Sequence, residues 1–118
     1  MAQIQATVTL TAEQIAFFHE HGFLALPSIT TAEEAAMMRA AYDRLFAERV
    51  GRAEGNHFDL AGVDDDDHEP DLPQILGPSR YAPELQHTLA RANALVIARQ
   101  LLGDDVEFMS DHAILKPA

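Results

Sequence analysis

The sequence predicts an α+β fold, because three helix-like segments alternate with two short runs of strand character. A capping box or a proline stands at the start of each helical pattern, and a glycine follows its end. The strand-like runs are apolar and bounded by Gly or Pro. With 118 residues, 47% of them hydrophobic, the chain has enough apolar surface for one core. We therefore expect a single domain over residues 1–118.

The first helix is predicted over residues 12–21. Thr11 and Gln14 have the spacing of a capping box, in which each side chain can bond the backbone N–H of the other. Gly22 supplies the stop signal at the C-terminal end. The apolar run at 23–26 that follows predicts a short strand.

Two further helices are predicted. The second starts at Thr30 or Thr31, with a glutamate in the third position after the cap, and runs to about Val50. The third starts at Pro83, which suits the first helical position, and ends at Gly103. Each has one apolar face. These faces consist of Ala35, Met38, Tyr42, Leu45 and Phe46 in the second helix, and of Leu85, Leu89, Ala92 and Val96 in the third.

Residues 51–80 are predicted to form a long, acidic, proline-rich loop. Seven acids fall within thirteen consecutive residues there, and Pro70, Pro73 and Pro78 are expected to interrupt any regular element. The run Asp64–Asp67 lacks the ligand spacing of an EF-hand loop. We therefore interpret it as a solvated, self-repelling segment and not as a calcium site.

The second strand is predicted over Val106–Leu115 and is ended by Pro117. Because successive side chains of a strand point to opposite faces, Ser110, His112 and Lys116 share one face. This face carries polar groups from which a site could be built.

Charge and composition exclude several classes of function. The formal net charge is -11 and no cluster of Lys or Arg offsets it, so neither nucleic acids nor anionic membranes are expected partners. No apolar run has the length of a membrane span, and the N-terminus lacks the pattern of a signal peptide. The absence of cysteine excludes disulfides, thiolate catalysis and Cys-based zinc sites, and it fits a cytoplasmic protein.

Three features occur in order along the chain. They are a capped helix at Leu10–Gly22 that leads into a strand ending at Pro27, a second capped helix starting at Thr31–Glu34, and Leu102–Val106 leading into a strand that ends in Ile114-Leu115-Lys116-Pro117. This order resembles the N-terminal half of the phytanoyl-CoA dioxygenase family. The resemblance covers about Leu10 to Ala118.

The resemblance implies an iron(II)- and 2-oxoglutarate-dependent oxygenase on a double-stranded β-helix, a cupin-like jelly roll. In this family a His-x-Asp pair and a later His hold the iron, and conversion of 2-oxoglutarate to succinate drives hydroxylation of a small organic or acyl substrate. The family's His-x-Asp pair follows the Lys-Pro strand. We therefore expect this chain to supply the helices and first strands of an incomplete barrel, with no catalytic or metal-binding residue. Alone it should bind neither iron nor 2-oxoglutarate and should be inactive.

Four residues are candidate site residues by the same resemblance. Lys116 matches the family's strand lysine, which lies near the 2-oxoglutarate carboxylates, and His112 shares its face, so both are predicted to contact this co-substrate. Ser110 continues the face, and Gln74 lies in a loop that approaches the active site in the family. Both are predicted to contact the substrate. The alternative for each is a structural or solvated side chain.

Other interpretations stay open. His57, Asp59 and His112 formally compose a two-His-one-carboxylate set, but an acidic loop and a helix lie between them where a jelly roll needs strands. The chain could instead be a non-catalytic acidic interaction module derived from such an enzyme, or could supply part of a site to another chain in a dimer. An unpaired strand edge further predicts poor stability or self-association.

Overall fold

Helices and one small antiparallel sheet make up the regular structure, which a computed structural model describes over residues 4–118. The helices are α1 (Ala12–His21), α2 (Ala32–Ala47), α3 (Pro78–Tyr81) and α4 (Leu89–Leu102), with 3-10 turns at Arg52–Glu54 and Pro83–Gln86. The strands are β1 (His57–Asp59), β2 (Pro73–Leu76) and β3 (His112–Ile114), in the order β1-β2-β3. The sheet is not closed. No helix within the described residues is both long and apolar enough to cross a membrane.

The chain divides into two units. The first contains the chain up to Ala35 together with His87–Met109, and the second contains Ala36–Gln86 and Ser110–Ala118. Each unit has its own set of stabilising contacts.

Helix α1, in the first unit, confirms the predicted capping box. The Thr11 hydroxyl accepts from the Gln14 N–H at 3.1 Å, and the Gln14 side chain accepts from the Thr11 N–H at 2.9 Å. Gly22 has a left-handed φ of 80° and donates its N–H to the Phe18 carbonyl at 2.8 Å. Because all these bonds span four residues or fewer, the local sequence was sufficient to predict both ends.

Glu34 links the starts of two helices. Thr31 is the cap of α2, since its hydroxyl accepts from the Glu34 N–H at 3.1 Å. The Glu34 carboxylate accepts from the N–H groups of Leu89 and Ala90 at 2.7 and 2.8 Å, so it caps α4 as well. Burial acts to raise the pKa of Glu34, but these two bonds and one from the Thr30 hydroxyl outweigh it and lower that pKa.

The N-terminal segment is held by two side chains of α4. Asn93 is only 1% exposed, and its side-chain oxygen accepts from the N–H groups of Thr7 and Val8 at 2.7 and 3.1 Å. Two turns further along α4, the side-chain oxygen of Gln100 accepts from the Leu10 N–H at 2.8 Å. These amides therefore satisfy backbone groups that a neighbouring strand would otherwise bond.

The second unit is built around β2. Ile75 is completely buried and packs with Ala41 and Leu45 of α2. The other members of this core are Ala82 and Leu85, flanked by the partly buried Met38, Tyr42, Phe46, Val50 and Tyr81. The predicted apolar face of α2 is thus confirmed from Met38 to Phe46, whereas Ala35 is exposed.

Neither predicted strand has the predicted extent: the strand at 23–26 does not form, and the strand at Val106–Leu115 is shorter than predicted. No partner strand within residues 4–118 pairs with 23–26, where the Phe23 ring instead packs edge-on against Phe17 at 5.2 Å. The second prediction, Val106–Leu115, shrinks to β3. Its first part turns back to α4, because Arg99 donates to the Val106 carbonyl at 3.0 Å.

The proline-rich loop predicted at 51–80 contains more regular structure than expected. Pro73 is the first residue of β2 and Pro78 is the first residue of α3. A proline is tolerated at the first residue of a strand and at the first position of a helix, which is why it starts these elements and does not interrupt them. The longest irregular stretch within 51–80 is 60–72.

The acidic segment is not a self-repelling loop. Arg52 donates to the carboxylates of Asp64 and Asp66 at 2.5 and 3.0 Å. Arg49 donates to the carbonyl of His68 at 2.8 Å and, over longer distances, to those of Asp65 and Asp66. The segment is mostly exposed, so it is solvated as predicted, but two guanidinium groups order it, which the composition did not predict.

Two helix ends also differ from prediction. Pro83 starts a 3-10 turn, and α4 begins six residues later, at Leu89, because the Thr88 hydroxyl accepts from the Arg91 N–H at 3.0 Å. Helix α4 does end before Gly103 as predicted. Helix α2 stops at Ala47 and not at Val50.

Replacing Asn93 with alanine should destabilise the first unit by about 2 kcal/mol, because the Thr7 and Val8 N–H groups and the Ile29 carbonyl lose their partner. Urea denaturation and faster amide hydrogen exchange at Thr7 and Val8 would measure this. Asn56→Ala is the matched control, since Asn56 donates one side-chain bond, to the Tyr81 hydroxyl. An equal loss of unfolding free energy in Asn93→Ala and Asn56→Ala would contradict the stabilising role assigned to Asn93.

Candidate functional site

The outer face of the sheet is the candidate site. Phe58, Gln74 and Ile114 are cross-strand neighbours, and so are Leu76 and His112. Because side chains alternate along each strand, all five lie on the face opposite Ile75. Leu76 and Ile114 are 36% and 44% exposed, so this face presents apolar surface around a polar pair.

The polar pair consists of His112 and Gln74. The His112 Nε2 lies 2.5 Å from the side-chain oxygen of Gln74, which is only 7% exposed. An amide oxygen can only accept, so Nε2 carries the hydrogen in this pair. In the neutral ring, Nδ1 is then left as an acceptor that could bond a hydroxyl or N–H of a ligand.

The structure brings together two of the four predicted site residues. Gln74 lies on the central strand and not in a loop, and it meets His112 there. Ser110 and Lys116 flank β3 and are exposed, with no hydrogen bond or ion pair to another of residues 4–118. Lys116 is the only lysine in the sequence and lies two residues beyond the end of β3.

Asp111 is a positioning residue that the sequence did not reveal. Its carboxylate accepts from both the N–H and the hydroxyl of Ser79 at 3.0 Å, and its carbonyl accepts from the Gly77 N–H at 2.9 Å. These bonds hold the start of β3 against the start of α3. Burial, and then the Asp111 charge, raise the pKa of Tyr42. The Gly77-Pro78-Ser79 run indicates a helix start in the sequence. The carboxylate that accepts from the Ser79 N–H, however, lies 32 residues away, at Asp111.

His57, Asp59 and His112 do not fit an iron ion. His57 faces the core with Ile75, whereas His112 lies on the outer face. Both Asp59 oxygens accept backbone N–H bonds, at 3.1 Å from Ala61 and 3.0 Å from Asp71 among others. These bonds, from Asp71 first, lower the pKa of Asp59 to about 2. Within the part of the chain that is described, no group of three or more His, Asp or Glu is arranged to hold a metal ion.

His57 is a buried, ionisable side chain on the core side of the sheet. It is 2% exposed, and neither ring nitrogen has a hydrogen-bond partner among the described residues. Its ring lies edge-on to Phe46 at 6.1 Å. Burial, followed by the charges of Arg52 and Arg49, lowers its pKa below the usual 6.5, although the nearby Val50 backbone and then the Asp64 charge act in the opposite direction.

Comparison with protein-family models, with curated proteins and with solved structures found no match for this chain.

Acidification should destabilise the second unit through His57. Its pKa is lowered on folding, so its contribution to stability is fully present above pH 6.5 and is lost as the pH falls from there towards the folded pKa. The urea midpoint should therefore drop between about pH 7 and about pH 5. His57→Phe should reduce the dependence of the urea midpoint on pH, whereas His87→Phe, at an exposed position, should leave that dependence unchanged. An unchanged slope in His57→Phe would refute the assignment.

The Gln74 bond should hold His112 in the tautomer protonated at Nε2. Long-range ¹H–¹⁵N spectra of the neutral ring should show that tautomer almost exclusively in the parent chain. Gln74→Leu removes the acceptor and should allow both tautomers. The exposed His19 serves as the internal control, because its tautomers should be the same in the parent chain and in Gln74→Leu. An Nδ1-protonated His112 in the parent chain would be the contrary result.

Proposed function

We propose that this chain supplies the N-terminal part of a phytanoyl-CoA dioxygenase-like, iron(II)- and 2-oxoglutarate-dependent hydroxylase. The substrate would be a small organic or acyl compound. The observation that carries the proposal is the outer face of the sheet, where the His112–Gln74 pair lies among Phe58, Leu76 and Ile114. The ordered sequence resemblance supports it independently.

The layer arrangement fits this role. One face of the sheet packs on α2 through Ile75, while the other carries the apolar residues and the polar pair. In a jelly roll a second sheet packs about 10 Å from the first, and the space between them can hold ligands. The outer face would line that space.

The proposal gives each candidate residue a binding role. The Lys116 ammonium would pair with a carboxylate of 2-oxoglutarate. The free Nδ1 of His112 would accept a hydrogen bond from the bound molecules, with Gln74 holding the ring, and the Ser110 hydroxyl would contact the substrate. Iron and 2-oxoglutarate supply the oxidising chemistry when bound. No iron ligand is assigned to residues 4–118.

A second candidate function is a non-catalytic interaction module. The net charge of -11 and the open edge of β3 favour it. In that case the chain would recognise a partner through its strand edge and would need no co-substrate.

The native protein should convert 2-oxoglutarate to succinate in an iron-dependent manner, and its intact mass in its source cell should exceed 13.0 kDa. The purified 118-residue chain should produce no succinate. Lys116→Ala in the native protein should raise the KM for 2-oxoglutarate roughly tenfold, because a charge-assisted bond is lost. Lys116→Arg should recover most of this loss.

Arg80→Ala is the matched control, since it removes an exposed cation of the same unit. A native protein of 13.0 kDa that forms no succinate would overturn the enzyme proposal. Equal effects of Lys116→Ala and Arg80→Ala on the KM for 2-oxoglutarate would show that Lys116 does not bind this co-substrate.

A further inference from the structure

The two outer edges of the sheet differ. On β1 the outward groups are covered by side chains: Arg52 donates to the His57 carbonyl at 3.0 Å, and the Asp59 N–H donates to the Asp64 carboxylate at 3.0 Å. A strand edge whose groups are bonded in this way cannot pair with another strand.

The edge of β3 is open. Asp111 and Leu115 bond towards β2, as shown by Gly77 N–H to Asp111 carbonyl at 2.9 Å and Leu115 N–H to Pro73 carbonyl at 3.0 Å. Because hydrogen-bonding direction alternates along an antiparallel strand, the N–H and C=O groups of His112 and Ile114 point away from β2. Within residues 4–118 no group bonds to them.

A groove runs beside this edge. A cleft of about 540 Å³ lies between β3 and the side chains of Tyr42 and Phe46 of α2. A second cleft, of about 560 Å³, shares Phe46 and Leu115 with the first and extends to Glu69 and Asp71. The two clefts form one continuous groove with an aromatic wall, and we call it the β3 groove.

Among the residues that line the β3 groove, the charged side chains without a bonded partner in residues 4–118 are acidic. Arg49 lines it, but its guanidinium is bonded to the carbonyls of the acidic segment. Arg39 lies 3.8 Å from Asp43. Glu69 and Asp71 have no ion pair with any of the described residues. A cationic occupant would therefore be complementary, whereas a second copy of this chain, with its own charge of -11, would be repelled.

We propose that the open edge of β3 and the β3 groove bind an extended, basic peptide segment of a partner protein, which adds to the sheet as a fourth strand. Its main chain bonds the outward groups of His112 and Ile114. Alternate apolar side chains pack on Tyr42 and Phe46, and its cations lie near Glu69 and Asp71. This site uses the outward backbone groups of β3, and it rests on the interaction-module candidate, since further strands of a dioxygenase barrel would pair with the same edge.

The test uses the whole 118-residue chain and an end-blocked seven-residue peptide of alternating valine and lysine. In ¹H–¹⁵N spectra, the peptide should shift the His112 and Ile114 amides saturably and protect them from hydrogen exchange. The covered β1 edge, His57 and Asp59, should not respond. A peptide with glutamate in place of lysine should bind at least tenfold more weakly, and added salt should weaken binding of the basic peptide.

Two protein variants separate the main-chain and charge contributions. Ile114→Pro removes the outward N–H, which is not used in the bond to β2, along with the isoleucine side chain, and should lower the affinity about tenfold, whereas Ile114→Val keeps the N–H and should bind normally. Glu69→Gln leaves the strand intact and should lower the affinity two- to fivefold, roughly the effect of one exposed ion pair. Glu107→Gln, in the first unit, is its matched control and should have no effect.

Three results would overturn the proposal. One is equal binding of the acidic and basic peptides. Another is a response confined to residues other than His112 and Ile114. The third is a shift of these two amides with protein concentration alone, which would identify a second copy as the occupant.

Discussion

The pairing of β2 with both of its neighbours is the constraint on which the second unit depends. The register places Ile75 on the core side, where it is completely buried, and Gln74 on the opposite side, beside His112. A shift of one residue would exchange the two faces, placing the amide of residue 74 against the core and the isoleucine on the outer face. The same register thus determines both the core and the candidate site.

Charged and polar side chains decide which backbone groups remain accessible. In the second unit, Arg52 and Asp64 cover the edge of β1, whereas no side chain within residues 4–118 bonds the outward groups of β3. In the first unit, Glu34 and Asn93 satisfy the start of α4 and the N-terminal segment respectively. An acidic composition therefore produced specific local order where Arg49 and Arg52 bond the acidic segment, and it left Glu69 and Asp71 without an ion pair among the described residues of the β3 groove.

Prediction succeeded where the interactions are local. The caps of α1 and the end of α4 were predicted, because the bonding partners lie within four residues of each other. It failed at the start of α4, where Pro83 was a valid signal but Thr88 provides the cap. It also failed for the strand at 23–26 and predicted the second strand too long, since a strand requires a partner from a distant part of the chain, and periodicity does not reveal one. The jelly-roll fold and the oxygenase chemistry stay proposals.

The sequence by itself determined the mixture of helices and strand-like runs, the acidic surface, and the alternation that places His112 and Lys116 on one face. Only the tertiary structure decided that Gln74 belongs to a central strand and bonds His112, and that Arg49 and Arg52 order the acidic segment. The physical reason is sequence separation. The His112–Gln74 bond spans 38 residues and the bond from Arg52 to Asp66 spans 14, so both depend on how β1, β2 and β3 come together and not on any local preference.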